Sequence, residues 1–337
     1  MRSICWFLSA FLCSVFGGGP LTPEENSWVQ RTCGLPKPSR RLVKRIIGGD
    51  FAPLLPYAVQ LKYYGSYCEG TLISPRHVLT ASHCVYNTTT CPENSFKGSL
   101  SHPRVLSLTE LNQLTFTESY GWKATLGSTC SVDYCEYGQP RTSLKISRIY
   151  ANSNYFSYGC HGHDIAIVEL TRDIQEYEIP IPACVTPTQH GTPDHLVAFG
   201  RGKNSLAERN HDLRRLVYLQ WVKLSPVKCH PKYPKDVICT DEIYRGSCRG
   251  DSGAGLMHRP QGRSTVVGIT SFGQNCELVL ENIELRSRLN RSPGASTDVR
   301  FYSEWICKAI GVCNGNSQNT DLTHYYGQDP VHVVDVL

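Results

Sequence analysis

Sixteen cysteines in a chain of 337 residues constrain its fold and its compartment more than any other feature. Met1-Arg2, an apolar run from Ile4 to Phe16 and the break Gly17-Gly18-Gly19-Pro20 have the form of a secretory leader. The start is positive, the apolar stretch is short, and small residues stand at its exit. A buried N-terminal helix is the weaker reading, because the run abuts glycines and a proline. Residues 1–18 are therefore read as a signal peptide and the protein as secreted. Its removal takes Cys5 and Cys13 and leaves 14 cysteines, which in an exported chain read as up to seven disulfides. Zinc would need tight Cys/His pairs; Cys130 and Cys135 come nearest and lack a second pair, so neither metal nor cofactor is expected. His161 and His163, which flank Asp164, read as surface or packing histidines in preference to ligands.

No apolar run beyond the leader approaches the roughly 20 residues needed to cross a bilayer, so no membrane partner is expected. The +5 formal charge is local: seven of the 34 Lys+Arg but two of the 29 Asp+Glu precede Ile46, leaving 27 of each sign after it. A balanced body lacks the field a polyanion would bind, which argues against nucleic acid. Residues 19–45 are rich in Pro, Arg and Lys, end in Arg40-Arg41-Leu42-Val43-Lys44-Arg45, and read as a propeptide with an exposed basic cleavage site.

After it come short apolar or alternating stretches between turn residues: Tyr57–Lys62, His77–Thr80, Trp122–Leu126, Ile165–Leu170, Leu216–Val222, Val266–Ile269 and Thr297–Phe301. Such spacing with few helical periods predicts an all-β sandwich or barrel. Phe301–Ile310 is the one good amphipathic helix. Residues 314–337 form a polar tail, read as mobile, whose Val331–Leu337 end has strand character but no assigned partner. Asn87-Thr88-Thr89 is a glycosylation sequon; Asn290-Arg291-Ser292 is a poorer one, since Pro293 follows.

Three short segments carry chemistry: Thr80-Ala81-Ser82-His83-Cys84, Gly162-His163-Asp164-Ile165-Ala166 and Gly250-Asp251-Ser252-Gly253-Ala254-Gly255-Leu256. A hydroxyl is a poor nucleophile at neutral pH and needs a base beside it. That base needs a group to fix its tautomer and stabilise its cation. Glycines around the serine let backbone N–H groups turn toward a developing oxyanion. Each segment alone is weak, since a Gly-x-Ser-Gly loop is more often a turn and a His beside Cys more often structural.

Together, and in this order, the segments resemble the chymotrypsin-like (trypsin-fold) serine proteases. Arg45-Ile46-Ile47-Gly48-Gly49 resembles the family's activation site and Cys68-Glu69-Gly70-Thr71-Leu72-Ile73-Ser74 the strand leading to the catalytic histidine. Ser271-Phe272-Gly273 is similar to the substrate-aligning strand, with Phe for the usual Trp, and Trp305-Ile306 to the C-terminal helix. The resemblance covers Ile46 to Cys313 and implies two six-stranded antiparallel β-barrels followed by that helix, with a protease domain over residues 46–313.

It further implies Ser252 as nucleophile, His83 as general base and acid, Asp164 as orienting carboxylate, and an oxyanion hole from the N–H groups of Gly250 and Ser252. Asp251 would pair with the α-ammonium of Ile46 once the bond after Arg45 is cut. The implied partners are polypeptide substrates, an upstream activating protease and protein inhibitors. Disulfides Cys68–Cys84, Cys248–Cys276, Cys229–Cys239 and Cys33–Cys184 follow from the same resemblance, the last keeping the propeptide attached. Cys91, Cys130, Cys135, Cys160, Cys307 and Cys313 remain, with 15 possible connectivities; Cys307–Cys313 is suggested by proximity. A catalytically silent module of the same fold that binds a partner protein is the alternative.

The chain departs from the family in several places. His83 and Asp164 are 81 positions apart, the excess lying between Cys84 and Tyr120. That loop either reshapes the substrate cleft or decorates the surface. A second insertion, Cys276–Pro293, is a short helix or a solvated loop. Gly253-Ala254-Gly255 replaces the usual Gly-Gly-Pro, and Ser296 stands where a pocket tyrosine is common. Six before Ser252, where trypsin-like members carry an aspartate, is Gly246. With Gly273 and Gly294 as walls, beside Ser271, an open apolar pocket and cleavage after large apolar residues are expected, unless a glutamate from the Cys276–Pro293 loop enters it. Arg249 is expected at the rim. An enzyme with such a pocket would not cut its own Arg45.

Overall fold

The computed structural model describes residues 18–36, 50–52, 54–91, 106–131, 141–175, 178, 180–186, 191–211, 218–273, 275–285, 293–314 and 326–336. Two curled sheets account for most of them. In spatial order the first runs β17 (Val331–Asp335), β7 (Ile146–Asn152), β8 (Ala166–Leu170), β4 (His77–Thr80), β3 (Ser66–Leu72), β2 (Ala58–Tyr63), β5 (Trp122–Leu126) and β6 (Thr142–Leu144). The second runs β1 (Asp50–Phe51), β11 (Gln220–Leu224), β10 (Leu196–Gly200), β14 (Gly255–His258), β15 (Thr265–Phe272), β16 (Gly294–Asp298), β13 (Val237–Thr240) and β12 (Pro226–Val227). A two-residue strand, β9 (Cys184–Val185), lies parallel beside β15; every other pairing is antiparallel.

The sheets thus hold eight and nine strands among the described residues, against an expected six and six, because short edge strands and a tail strand extend them. Most expected strands fall close to their places. Two differ: Leu216–Val222 is met by β11 only from Gln220 on, Leu216 lying outside the described residues, and Thr297–Phe301 is the end of β16 and then a 3₁₀ turn, Val299–Tyr302, begun where the Asp298 side chain accepts the Arg300 N–H. Burial on both faces explains the least alternating strand, since all five residues of β8 are buried.

One apolar cluster runs through both sheets, joining Leu61, Leu72 and Ile167 of the first to Phe199, Met257 and Ile269 of the second. Helix α6 (Ser303–Ile310) closes it with Trp305, Ile306 and Ile310, all fully buried. The helix stops at Gly311, whose φ of 74° suits glycine and whose missing Cβ leaves room for the Leu21 carbonyl. Leu21 in turn donates its N–H to Ile310 O at 2.8 Å.

The N-terminal segment is therefore more than a linker. Helix α1 (Pro23–Thr32) starts with a capping box, Thr22 with Glu25, and a proline in its first turn. Glu25 also binds buried Arg76 at 2.9 Å, which Asp173 contacts from the other side at 3.1 Å. A carboxylate is thereby neutralised where the helix meets the first sheet, and the Glu25 carboxyl is held below its usual range, chiefly by its hydrogen bond to Arg76. The described end of the tail is likewise docked: β17 pairs with β7 from Val331↔Asn152 to Asp335↔Arg148.

Trp305 has no exposed surface, whereas Val333 on β17 is about half exposed. Trp305→Ala is expected to cost about 3–5 kcal/mol through loss of packing and a cavity. Val333→Ala should stay within about 0.5 kcal/mol. Urea unfolding of both variants followed by circular dichroism checks the pair.

Candidate active site

The loops that carry the three chemistry-bearing segments meet where the two sheets adjoin. His83 sits in a 3₁₀ turn, Ser82–Cys84, directly after β4. Ser82 fixes that turn by donating its hydroxyl to Ile165 O at 2.8 Å, and the Cys68–Cys84 disulfide ties it to β3. The local sequence thus aims the imidazole at the residue just before Ile165.

That residue, Asp164, is 4% exposed, and its carboxylate accepts three hydrogen bonds. His83 donates its backbone N–H to Oδ1 at 3.0 Å and its ring Nδ1 lies 2.7 Å from Oδ2. The Ser271 hydroxyl donates to Oδ2 at 2.5 Å, and Thr297 Oγ1 donates to the Asp164 carbonyl at 3.0 Å. Burial works against both charges, but each partner outweighs it. The His83 pKa is raised above the ordinary imidazole value by Asp164, and the Asp164 pKa is lowered by His83 and Ser271. A carboxylate on Nδ1 fixes the tautomer that leaves Nε2 free to accept a proton.

Ser252 lies in the turn before β14. Its carbonyl accepts the Glu69 N–H at 2.7 Å, so the turn is anchored to β3 of the first sheet. Gly253, at φ 82°, lies against the Glu69 carbonyl and Thr80 Oγ1, where any Cβ would collide. Gly250, at φ 97°, passes within 3.0 Å of the Gly202 Cα measured from a notional Cβ. Two adjoining hollows share Ser271 and Phe272: one of about 560 Å³ includes Ser252, the other, of about 350 Å³, His83. In the uncut chain no hydrogen bond joins Ser252 Oγ to His83 among the described residues.

Asp251 is buried and its carboxylate rests in the backbone cradle Gly200-Arg201-Gly202. It accepts the Gly202 N–H at 2.7 Å and the Cys248 N–H at 2.8 Å. Burial pushes its pKa up to about 7 despite those bonds and the Arg201 charge. Arg201 pairs at 2.7 Å with Glu69, both 1% exposed at the side chain, and donates to Ser128 O at 2.6 Å. Sequence reading missed this inter-sheet pair; the charged residues inside the Cys68–Ser74 and Gly200–Gly202 motifs were the available signal. Arg45 and Ile46 lie outside the described residues, as do Cys5, Cys13, Cys135 and Asn290.

The pocket differs from the open apolar slot expected between Gly246, Gly273 and Gly294. A Cβ at Gly246 would lie 2.7 Å from Glu242 Oε2, one at Gly273 2.9 Å from the same oxygen, and one at Gly294 would overlap the carboxyl group. The three glycines make room for a buried carboxylate, which Ser247 Oγ also contacts at 3.1 Å. That carboxylate belongs to Glu242, four residues before Gly246, and not to the later insertion. That insertion folds as helix α5 (Cys276–Leu285), with α4 (Ser205–Arg209) as its neighbour. Glu277 binds Lys203 at 3.0 Å and Glu284 binds Arg209, so both turn to that flank. Arg249 lines the Ser252 hollow, as does Lys203.

The cysteines pair as Cys33–Cys184, Cys68–Cys84, Cys229–Cys239, Cys248–Cys276 and Cys307–Cys313. Cys91–Cys160, left open by the sequence, ties the long loop after Cys84 to the segment before Asp164. Cys130 is also disulfide-bonded. Cys68, His83 and Cys84 form the one cluster of metal-ligand type among the described residues, but both sulfurs are spent in a disulfide. Asn87 is exposed and its side chain accepts the Thr89 N–H.

A family model described as Trypsin matches residues 133–306, and one described as the Nematode trypsin-6-like family matches residues 3–102. The chain is 29% identical over 293 residues to the Trypsin-like protease try-5 of Caenorhabditis elegans, covering 78% of this chain and 85% of that one. It is 25% identical over 303 residues to the Venom serine protease of Polistes dominula, covering 85% and 89%. With the CLIP domain-containing serine protease B4 of Anopheles gambiae it shares 25% over 290 residues, 79% of this chain and 70% of the relative.

The His83–Asp164 pair predicts a titration. The His83 midpoint should lie above 6.5 and fall in Asp164→Asn, read by imidazole NMR. Because the folded pKa is raised, the stabilisation is complete below pH 6.5 and is lost as pH rises through the folded midpoint. Stability curves of wild type and Asp164→Asn should therefore converge on the alkaline side.

Proposed function

Since this chain belongs to the trypsin family of serine proteases, we propose that it is a secreted serine endopeptidase, made as a zymogen and activated by cleavage after Arg45. The observation that carries the reading is the closed His83–Asp164–Ser271 network beside Ser252. His83 Nε2 takes the proton from Ser252 Oγ as the oxygen attacks the substrate carbonyl, and Asp164 stabilises the resulting imidazolium. The N–H groups of Gly250 and Ser252 receive the oxyanion. His83 then returns the proton to the leaving amine, and water repeats the sequence on the acyl-enzyme.

The open Ser252–His83 contact in the uncut chain fits a proenzyme. Asp251, buried with a raised pKa, has no full counter-charge among the described residues, and the α-ammonium of Ile46 would supply it. Residues 1–18 would be removed on export. Residues 19–45 would stay attached through Cys33–Cys184, and Asn87, exposed in its turn, would carry a glycan. An upstream protease that cuts after basic residues and extracellular protein inhibitors are the partners this scheme implies.

Glu242 sets the preference. A buried carboxylate at the glycine-lined slot favours a substrate guanidinium or ammonium over the large apolar side chain that the glycines alone suggest. The same open Ser252–His83 contact also favours a second reading, a silent module that binds a partner. An organofluorophosphonate probe separates the two. Labelling of Ser252 should rise by at least about 10²-fold after cleavage at Arg45 and be absent in Ser252→Ala; no labelling of the cut protein would leave the binding module.

Peptide-library profiling of the cut enzyme should show cleavage after Arg and Lys. Glu242→Gln should lower kcat/KM on those substrates by about 10²- to 10³-fold and spare apolar ones. Cleavage after Phe or Leu by the wild type would restore the apolar reading.

A further inference from the structure

Asp329 lies on the tail, more than 160 positions from the catalytic motif, yet it is 4% exposed and sits beside that motif. Its Oδ2 lies 2.7 Å from His163 Nδ1 and accepts Asn152 Nδ2 at 2.7 Å; its Oδ1 accepts Asn154 Nδ2 at 2.9 Å. His163 immediately precedes Asp164 and is itself 4% exposed.

Its backbone is at φ 54°, a left-handed conformation that is strained for a non-glycine residue and needs outside support. That support comes from two sides. The His163 N–H donates to Asp236 Oδ2 at 2.7 Å, an oxygen that also accepts the Tyr302 hydroxyl at 2.6 Å. The His163 ring is held by Asp329 and stacks on Tyr158 at 4.5 Å, with Tyr326 of the tail at 5.2 Å.

We infer that Asp329 is a positioning residue for the catalytic carboxylate: the tail, fastened by β17, clamps the His163 ring and so sets the direction in which Asp164 meets His83. The inference rests on the protease reading of the same site. The pairing of β17 with β7 gives the clamp its leverage, and His332 secures it further through Tyr86 OH at 2.9 Å and Asn112 Oδ1 at 2.8 Å. Around the titrating His83–Asp164 pair the facing polar groups are Ser271, Thr297 and the Tyr155 hydroxyl. Around His163 they are Asp236, Asp329, Tyr158, Tyr302 and Tyr326.

The test uses the full chain cut after Arg45. Asp329→Ala should lower kcat by about 10- to 100-fold with KM changed less than about twofold. The His83 midpoint, measured by imidazole NMR in a Ser252→Ala background, should fall toward the ordinary value. Asp329→Asn, whose amide oxygen can still accept from the His163 ring, should recover much of both. Asp335→Ala, on the same strand but paired at the surface with Arg148, should leave both unchanged.

Unchanged kcat and His83 midpoint in folded Asp329→Ala would overturn the inference. So would an equal loss in Asp335→Ala, which would mark a merely structural strand. Should Asp329→Ala fail to fold, Asp329→Asn and His163→Asn decide by the same two readouts. Since asparagine tolerates the left-handed backbone, His163→Asn should lower the midpoint. A wild type without turnover would sink the protease reading instead, while the titration would still decide the clamp.

Discussion

A negative charge with almost no access to water can be kept only if its surroundings supply donors, and Asp164 is where this protein meets that requirement. Its donors come from both sheets: the His83 ring and N–H from the end of β4, and the Ser271 hydroxyl from β15. The site therefore exists only when the two sheets are docked in one arrangement. The geometry of this hydrogen-bonded cluster and the tertiary packing are the same condition stated twice. The braces around it, Cys68–Cys84 and Cys91–Cys160, shorten the chain's freedom on either side of that meeting point.

Other buried charges follow the same rule at greater separation. Glu69 and Arg201 join the two sheets beneath the Ser252 turn, and Arg201 lies close enough to Asp251 to lower the cost of its ionisation. A buried ion pair gives little net stability, but losing either partner strands the other. Such pairs penalise misdocked arrangements more than they reward the right one.

What was legible in the sequence was short and local. The segments around His83, Asp164 and Ser252, the strands from His77 to Thr80 and from Trp122 to Leu126, and the Trp305 helix are each set by a few adjacent residues, and the strands and the helix lie where their patterns put them. The place of Glu242 was not legible. Three glycines read as empty space, and only the path of the loop before Gly246 says that a carboxyl fills it. The polar composition of the tail predicts mobility, yet five residues at its end have a free sheet edge to pair with. Polarity predicts exposure of side chains; it says nothing of whether the backbone finds a partner. The same holds ahead of Arg45, where the basic composition predicts a linker but the capping box of Thr22 and Glu25 folds the part before it into a helix.

Glu242 has a kinetic corollary. If the slot holding its carboxylate accepts an arginine, then the bond after Arg45 is itself a substrate, and each molecule that is cut becomes able to cut others. Conversion would then be self-accelerating: a lag whose length shrinks as protein concentration rises, followed by a steep front. A trace of active enzyme would end the lag, and stored material would be held only as long as that trace is kept below threshold. The side chain that chooses the substrate would thus also decide whether activation is gradual or abrupt.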